Sequence, residues 1–253
     1  MSVLKQKKNV YSQNGEDGII EYIFDKMKVV NGTFIEFGAW DGKHLSNTYN
    51  LFKNKHWGGI YIEGDSNKFK DLYNNFRMFD TIDCVNAYVG FESHDNLDKL
   101  ITRHSTKRAF DFVSIDVDGL DYFIFEKFET YLPSVVCIEV NAGHHPEYEH
   151  KIPMEIASNN VGQSIKVICD LASKKGYFPL CYTGNLFLIK NEFQDLFKDD
   201  LKTLPEIYLD FLHHLGRDGI NHLRNVFVPN KYYNGFLFSN KILDDFCSNY
   251  RFN

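Results

Sequence analysis

The sequence predicts an α/β fold: a mainly parallel sheet wrapped by helices and closed by an antiparallel hairpin. Three observations carry that expectation. Short apolar runs of β type alternate with segments of helical length from residue 15 to residue 140. The run Ser134–Val140 is almost continuously apolar, as expected of a central strand covered on both faces. The last two strand-like runs are separated only by Thr183-Gly184-Asn185, which is too short for a helix and suits a hairpin.

In chain order, Gly15–Val29 has helical length and precedes the first strand, Thr33–Phe37, which ends at Gly38. Leu45–Lys53 reads as a helix and Gly59–Glu63 as the second strand. Helix Ser66–Phe76 and the weaker strand Asp83–Asn86 follow, then helix Asp95–His104 and strand Phe110–Asp116. Tyr122–Leu132 is the crossover helix into Ser134–Val140. Beyond it lies a polar stretch, residues 141–160, with three histidines and two prolines. Ser164–Lys175 is amphipathic, with Ile165, Ile168, Leu171 and Ala172 on one side, and Gly176 stops it. Tyr177–Tyr182 and Leu186–Ile189 form the hairpin strands. Residues 191–253 read as helices with loops at Pro205 and Pro229, an extension packed on the domain formed by residues 1–190.

At 253 residues the chain is long enough to bury a sizeable core without a disulfide or metal staple. Its 23 Phe and 15 Tyr exclude a disordered chain. Twenty-eight basic against 34 acidic residues give a net charge of −6, which disfavours a general nucleic-acid binder. The five cysteines include no CxxC pair, and Cys137 and Cys169 read as small core residues. No run approaches the roughly 20 apolar residues of a membrane span, and residues 1–9 lack the apolar core of a signal peptide. A soluble, cytoplasmic protein is expected.

Ligands of open α/β sheets bind at the carboxyl ends of the strands, where the strand order reverses. Here those ends are acidic. The first strand leads into Glu36-Phe-Gly-Ala-Trp-Asp-Gly42, whose glycines permit a tight turn and close backbone approach. Glu63 ends the second strand, placed to accept the two hydroxyl protons of a ribose. Carboxylates at these positions would repel a pyrophosphate and suit a ligand with an amino group and ribose hydroxyls. Trp40 stands where a dinucleotide loop needs its second glycine, so NAD is disfavoured on sterics and charge.

Four blocks, Tyr11-Ser-Gln-Asn-Gly-Glu-Asp17, Phe34-Ile-Glu-Phe-Gly-Ala-Trp-Asp-Gly42 with Ser46-Asn-Thr48, Ile60-Tyr-Ile-Glu63 and Phe112-Val-Ser-Ile-Asp-Val-Asp-Gly119, occur in an order that resembles the FkbM-type S-adenosylmethionine-dependent methyltransferases. The resemblance covers about residues 11–190. It implies a class I, Rossmann-like methyltransferase domain with a seven-stranded sheet. It also implies S-adenosylmethionine as cofactor and a sugar hydroxyl as acceptor, the sugar being nucleotide-linked (such as a heptose) and destined for capsular or surface polysaccharide. By position, Glu36, Gly38, Asp41 and Gly42 would line the methionine end, Glu63 the ribose, Ala87 in Asn86-Ala-Tyr88 the adenine, and Gln13 would fold over the cofactor. The sequence departs from the family pattern at Trp40 and Asp41, where a small residue or glycine is common.

A sugar hydroxyl needs a general base or a metal ion to become a nucleophile. Asp116 and Asp118 follow the fourth strand, and Glu139 and Asn141 end the fifth, an oxygen set suited to Mg²⁺ or Mn²⁺. His144 and His145, just beyond, are imidazole candidates for the proton, beside Asp116. His213-His214 reads as structural, whereas His222, Arg224 and Lys231 near Tyr232-Tyr233 suit a sugar-linked phosphate. The aromatic-rich tail suits a homodimer contact or a substrate lid. The competing readings are an NAD-dependent sugar oxidoreductase, for which no YxxxK pair stands out, and a non-catalytic module that keeps the fold.

Overall fold

The computed structural model describes residues 2–117, 119–141, 143, 146–156 and 162–227, with side chains described up to residue 216. Seven strands form one sheet in the order β3-β2-β1-β4-β5-β7-β6. They are β1 (Thr33–Phe37), β2 (Gly58–Glu63), β3 (Ile82–Asn86), β4 (Phe112–Ile115), β5 (Val135–Glu139), β6 (Tyr177–Tyr182) and β7 (Asn185–Lys190). Strands β1 to β5 pair in parallel, and β7 runs antiparallel to both β5 and β6. The chain builds outward from β1 to β3, then returns to β4 on the other side of β1. The order therefore reverses at β1 and β4, and this reversal positions the site.

Alternation along the strands sends side chains into two cores. On one face, Ile35, Phe37, Ile60 and Ile62 pack with α4 (Leu97–His104), α5 (Asp121–Lys127), α6 (Ile165–Lys174) and α7 (Leu204–Phe227). On the other, Phe34, Tyr61, Phe112 and Cys137 meet α1 (Glu16–Met27), α2 (Tyr49–Lys55) and α3 (Ser66–Phe76). Cys137 and Cys169 are both buried in these cores. Within the tail, Ile207, Tyr208, Phe211 and Leu212 of α7 join the first core, and the Tyr182 and Phe211 rings lie 4.4 Å apart. α7 kinks at Gly216 (φ 65°, ψ −173°).

Among the expected boundaries that shift, three do so because of contacts with residues elsewhere in the chain. The second helix starts at Tyr49, not Leu45, because Leu45 adopts φ 57° and Ser46–Thr48 are drawn onto Glu36. The crossover helix ends at Lys127, well short of Leu132. There the Asp98 carboxylate collects the backbone N–H groups of Glu129, Thr130 and Tyr131 and holds them out of the helix. Asn185 belongs to β7, paired with Glu139, which leaves a two-residue turn of Thr183 and Gly184 (φ 128°).

Candidate functional site

The segments that follow β1, β4 and β5 meet an N-terminal strap, and much of the site is built by polar side chains that gather backbone donors. The strap, residues 9–15, is organised from within. One oxygen of Asp17 accepts the N–H groups of Val10, Tyr11 and Ser12 at 2.7–2.8 Å. Asn9 accepts from Gly15 N–H at 2.5 Å and donates to the Gln13 carbonyl at 2.8 Å. The result is a fixed loop that presents Gln13 and Asn14 over the strand ends.

Beneath the strap is a polar cavity of about 300 Å³ lined by Gln13, Asn14, Glu16, Leu45, Asn47, Asp116, Glu139, Gly184 and Asn185. Of the residues expected from sequence, Gln13, Asp116 and Glu139 come together here. Glu16 is almost fully buried; it accepts hydrogen bonds from Asn14 N–H (2.7 Å), the Thr183 hydroxyl (3.0 Å) and the Asn185 amide (3.4 Å). Three carboxylates thus face one small cavity, which favours a cationic or hydroxyl-rich ligand. Glu16, Asn14, Asn47 and Asn185 were not singled out from the sequence. Three of them sit inside the quoted blocks at residues 11–17 and 46–48, so the signal was present but was attached to their neighbours.

Glu36, expected at the methionine end, is not among the residues that line this cavity. Its carboxylate is buried and accepts from Ser46 Oγ (2.6 Å), Thr48 Oγ1 (2.5 Å) and Asn47 N–H (3.1 Å). Burial raises its pKa, with the nearby Asp116 adding to the effect and the three hydrogen bonds opposing it. Glu36 fixes the Ser46-Asn47-Thr48 turn, and Asn47 lines the cavity in its place, its amide donating to Ser114 Oγ at 3.0 Å. Gly38 adopts φ 68°, and a Cβ there would sit 3.1 Å from the Asp116 carbonyl oxygen, so the β1 turn lies directly against the end of β4.

Glu63 closes the neighbouring rim. Its carboxylate accepts from Trp40 N–H and Asp65 N–H, both at 2.8 Å, so it joins the β1 turn to the start of α3. Its carbonyl accepts from Ala87 N–H (3.2 Å) and the Asn86 amide (2.8 Å), bringing the loop after β3 to the same edge. Tyr88 folds across Gly64, where any Cβ would collide with its ring. Asp41 lies apart from the main cavity: one oxygen accepts from Lys43 and His44 N–H, and the residue borders a second cleft against α3. Gly42 (φ 73°) presses onto Phe76, where a Cβ would meet the ring at 2.4 Å.

After β4, Asp121 accepts from Val117 N–H and Gly119 N–H, both at 3.0 Å, and closes the turn that follows Asp116. Burial, reinforced by Asp116, pushes the Asp121 carboxyl up to about 7 against the opposing backbone hydrogen bonds. Asn141 uses its side-chain oxygen to accept from Gly143 N–H at 2.8 Å. Among the described residues no three acidic, histidine or cysteine side chains are grouped to hold a metal ion. Asp118, His144, His145 and the group His222, Arg224, Lys231 and Tyr232-Tyr233 lie outside the residues whose side chains are described. His213 and His214 are exposed on α7, and the ring of His214 contacts the Asp210 carbonyl.

A seven-stranded sheet of this order, with a single antiparallel strand, is the class I, Rossmann-like methyltransferase fold. No family model and no curated protein matches the chain in sequence. Among solved structures it is similar to the CurJ carbon methyltransferase at 8% identity and a TM-score of 0.45, covering 71% of this chain and 56% of that one. It is also similar to the N-terminal domain of EvdMO1 with SAH bound (10% identity, TM-score 0.42, 70% and 80% of the two chains). An S-adenosylmethionine-dependent methyltransferase from Clostridium acetobutylicum is comparable, at 10% identity, TM-score 0.43 and coverage of 69% and 90%. No described helix is long and apolar enough to cross a membrane.

Proposed function

We propose that this chain is an S-adenosylmethionine-dependent O-methyltransferase whose acceptor is a sugar hydroxyl on a nucleotide-linked sugar. The observation that carries the reading is the meeting of acidic groups, at the reversal of a methyltransferase-type sheet, with the polar cavity under the strap. When bound, S-adenosylmethionine supplies an activated methyl group. In this proposal Gln13 covers the cofactor and Glu63 accepts its ribose hydroxyls, a lone-pair capacity that a carboxylate retains beside two backbone donors. Gly38 allows close approach to the β1 turn, Asp41 and Gly42 shape that turn, and Ala87 borders the adenine.

The protein's main contribution is alignment, since holding two reactants in line is worth effective molarities of roughly 10⁵–10⁸ M. Asn47, Asn185 and Gln13 offer amide donors and acceptors to a polyhydroxylated acceptor. Asp116, one of the three carboxylates lining the cavity, takes the hydroxyl proton as general base, with His144 or His145 as the alternative base. Asp116, Asp118, Glu139 and Asn141 are the oxygen donors that would hold Mg²⁺ or Mn²⁺ if a cation takes part; Asp118 lies outside the described residues, and no step is routed through a metal.

The test is transfer of a labelled methyl group to a panel of nucleotide sugars and the matching free sugars. Label recovered in the sugar portion as an alkali-stable methyl ether supports the proposal. Label appearing only on amines or on carbon would replace it with another acceptor class.

A further inference from the structure

We infer that the cleft between the β1 turn and α3 is a stacking site for the nucleobase of the acceptor, with Trp40 as its platform; this rests on the nucleotide-linked acceptor proposed above. The cleft has a volume of about 500 Å³ and is lined by Trp40, Asp41, His44, Asp71, Asn74 and Asn75. Of the two tryptophans in the chain, Trp57 is 2% exposed and Trp40 is 45% exposed. Burial of its ring therefore does not account for a large aromatic at position 40.

The backbone points the same way. Trp40 adopts φ 47°, a left-handed conformation that is strained for a residue with a Cβ and that glycine adopts freely. The conformation is held by the 2.8 Å bond from Trp40 N–H to Glu63 and by the turn bond from Gly42 N–H to the Ala39 carbonyl. An indole kept at a strained position, with nearly half its surface in water, is better explained by a ligand than by stability.

The walls have the chemistry of a base site. An indole face stacks with any nucleobase, an interaction lost on removing the ring at a cost of roughly tenfold or more in affinity. Asp71 and Asn74 on exposed α3 positions offer an acceptor and an amide to a base edge. Asn75 ties the two walls together, donating to the Asp41 carbonyl at 2.9 Å and accepting from Lys43 Nζ at 2.8 Å. The Lys68 ammonium lies 5.0 Å from the Trp40 ring centroid, where it can pass to a phosphate when a base takes the ring. His44 and Leu45 are consecutive but line different cavities, so the same loop separates this cleft from the one under the strap. A nucleotide-linked sugar could place its base on one side of the loop and its sugar on the other.

The experiment titrates ADP, GDP, CDP and UDP into the full-length protein saturated with S-adenosylhomocysteine, so that the cofactor's own adenine site is filled. The quenchable part of the tryptophan emission, absent from Trp40→Gly, reports Trp40, because buried Trp57 is shielded from contact with a nucleotide. At least one nucleotide is expected to quench the solvent-exposed emission saturably. Calorimetry is expected to show at least tenfold weaker binding of that nucleotide to Trp40→Gly, a variant whose backbone suits φ 47°, and weaker binding to Asp71→Ala. Binding of S-adenosylhomocysteine with no nucleotide quenching Trp40, or with equal nucleotide affinity in Trp40→Gly, overturns the stacking site and leaves the methyltransferase reading standing. Quenching by a nucleotide in a protein that does not bind S-adenosylhomocysteine would instead support the stacking site and remove the methyl-transfer reading.

Discussion

Replacing Asp121 by Asn should invert the usual effect of acid on this protein's relative stability. In the folded chain the Asp121 carboxyl titrates at about 7, mainly because it is buried, whereas the ordinary value is 3.8. Between those values the folded state binds a proton that the unfolded state does not. Stability therefore rises as pH falls through 7 and levels off below about 4. A gap of about three pH units corresponds to an upper bound of about 4 kcal/mol, at about 1.4 kcal/mol per unit. The amide introduced by Asp121→Asn cannot titrate, yet its oxygen still accepts from Val117 or Gly119. Urea unfolding of both proteins at pH 8 and pH 5 reads the difference, in which groups common to both, including Glu36, largely cancel. At pH 8 the variant should equal or exceed the parent, and at pH 5, still above the unfolded value, it should be less stable by up to about 2.5 kcal/mol. A stability difference that does not change between the two pH values would refute the reasoning.

Other consequences can be checked directly. Glu63→Ala removes the carboxylate proposed for the ribose and should weaken S-adenosylhomocysteine binding by roughly tenfold to a hundredfold, the worth of hydrogen bonds to a charged group; unchanged affinity in calorimetry would exclude that role. Gly38→Ala forces a Cβ to within 3.1 Å of the Asp116 carbonyl at φ 68° and should lower stability by about 1–2 kcal/mol while weakening cofactor binding. Asp17→Ala leaves three strap N–H groups without their acceptor, of which only that of Ser12 is buried, and should cost about 1–3 kcal/mol. Limited proteolysis of that variant should cut between residues 9 and 15, and resistance equal to the parent would show that the strap does not depend on Asp17.

The sheet was legible because its signals are local. Each strand carries its own apolar run, and the turn at Thr183 and Gly184 announces the antiparallel end. Two of the helix ends that moved are set by partners distant in the chain: Asp98 gathers the backbone at 129–131, and Glu36 gathers residues 46–48. No periodicity within either segment encodes such a contact. The same limit applies to the site. Glu36 was visible as a strand-end carboxylate, but its use as a scaffold for Asn47 depends on how the β1 turn folds back. Glu16 opens α1 and in sequence is indistinguishable from an acidic residue favouring a helix N-terminus; only the approach of Thr183 and Asn185 from the hairpin places it in a cavity wall. Trp40 reads as a departure from a glycine pattern, and its positive φ places the backbone there in a conformation that glycine favours.

The most direct measurement is titration of the purified protein with S-adenosylhomocysteine in a calorimeter, with NAD as the comparison ligand. One-site binding of S-adenosylhomocysteine, weakened by Glu63→Ala, and no heat with NAD is the predicted result. No binding of S-adenosylhomocysteine, or binding of NAD in its place, would contradict the proposed chemistry of the acidic strand ends.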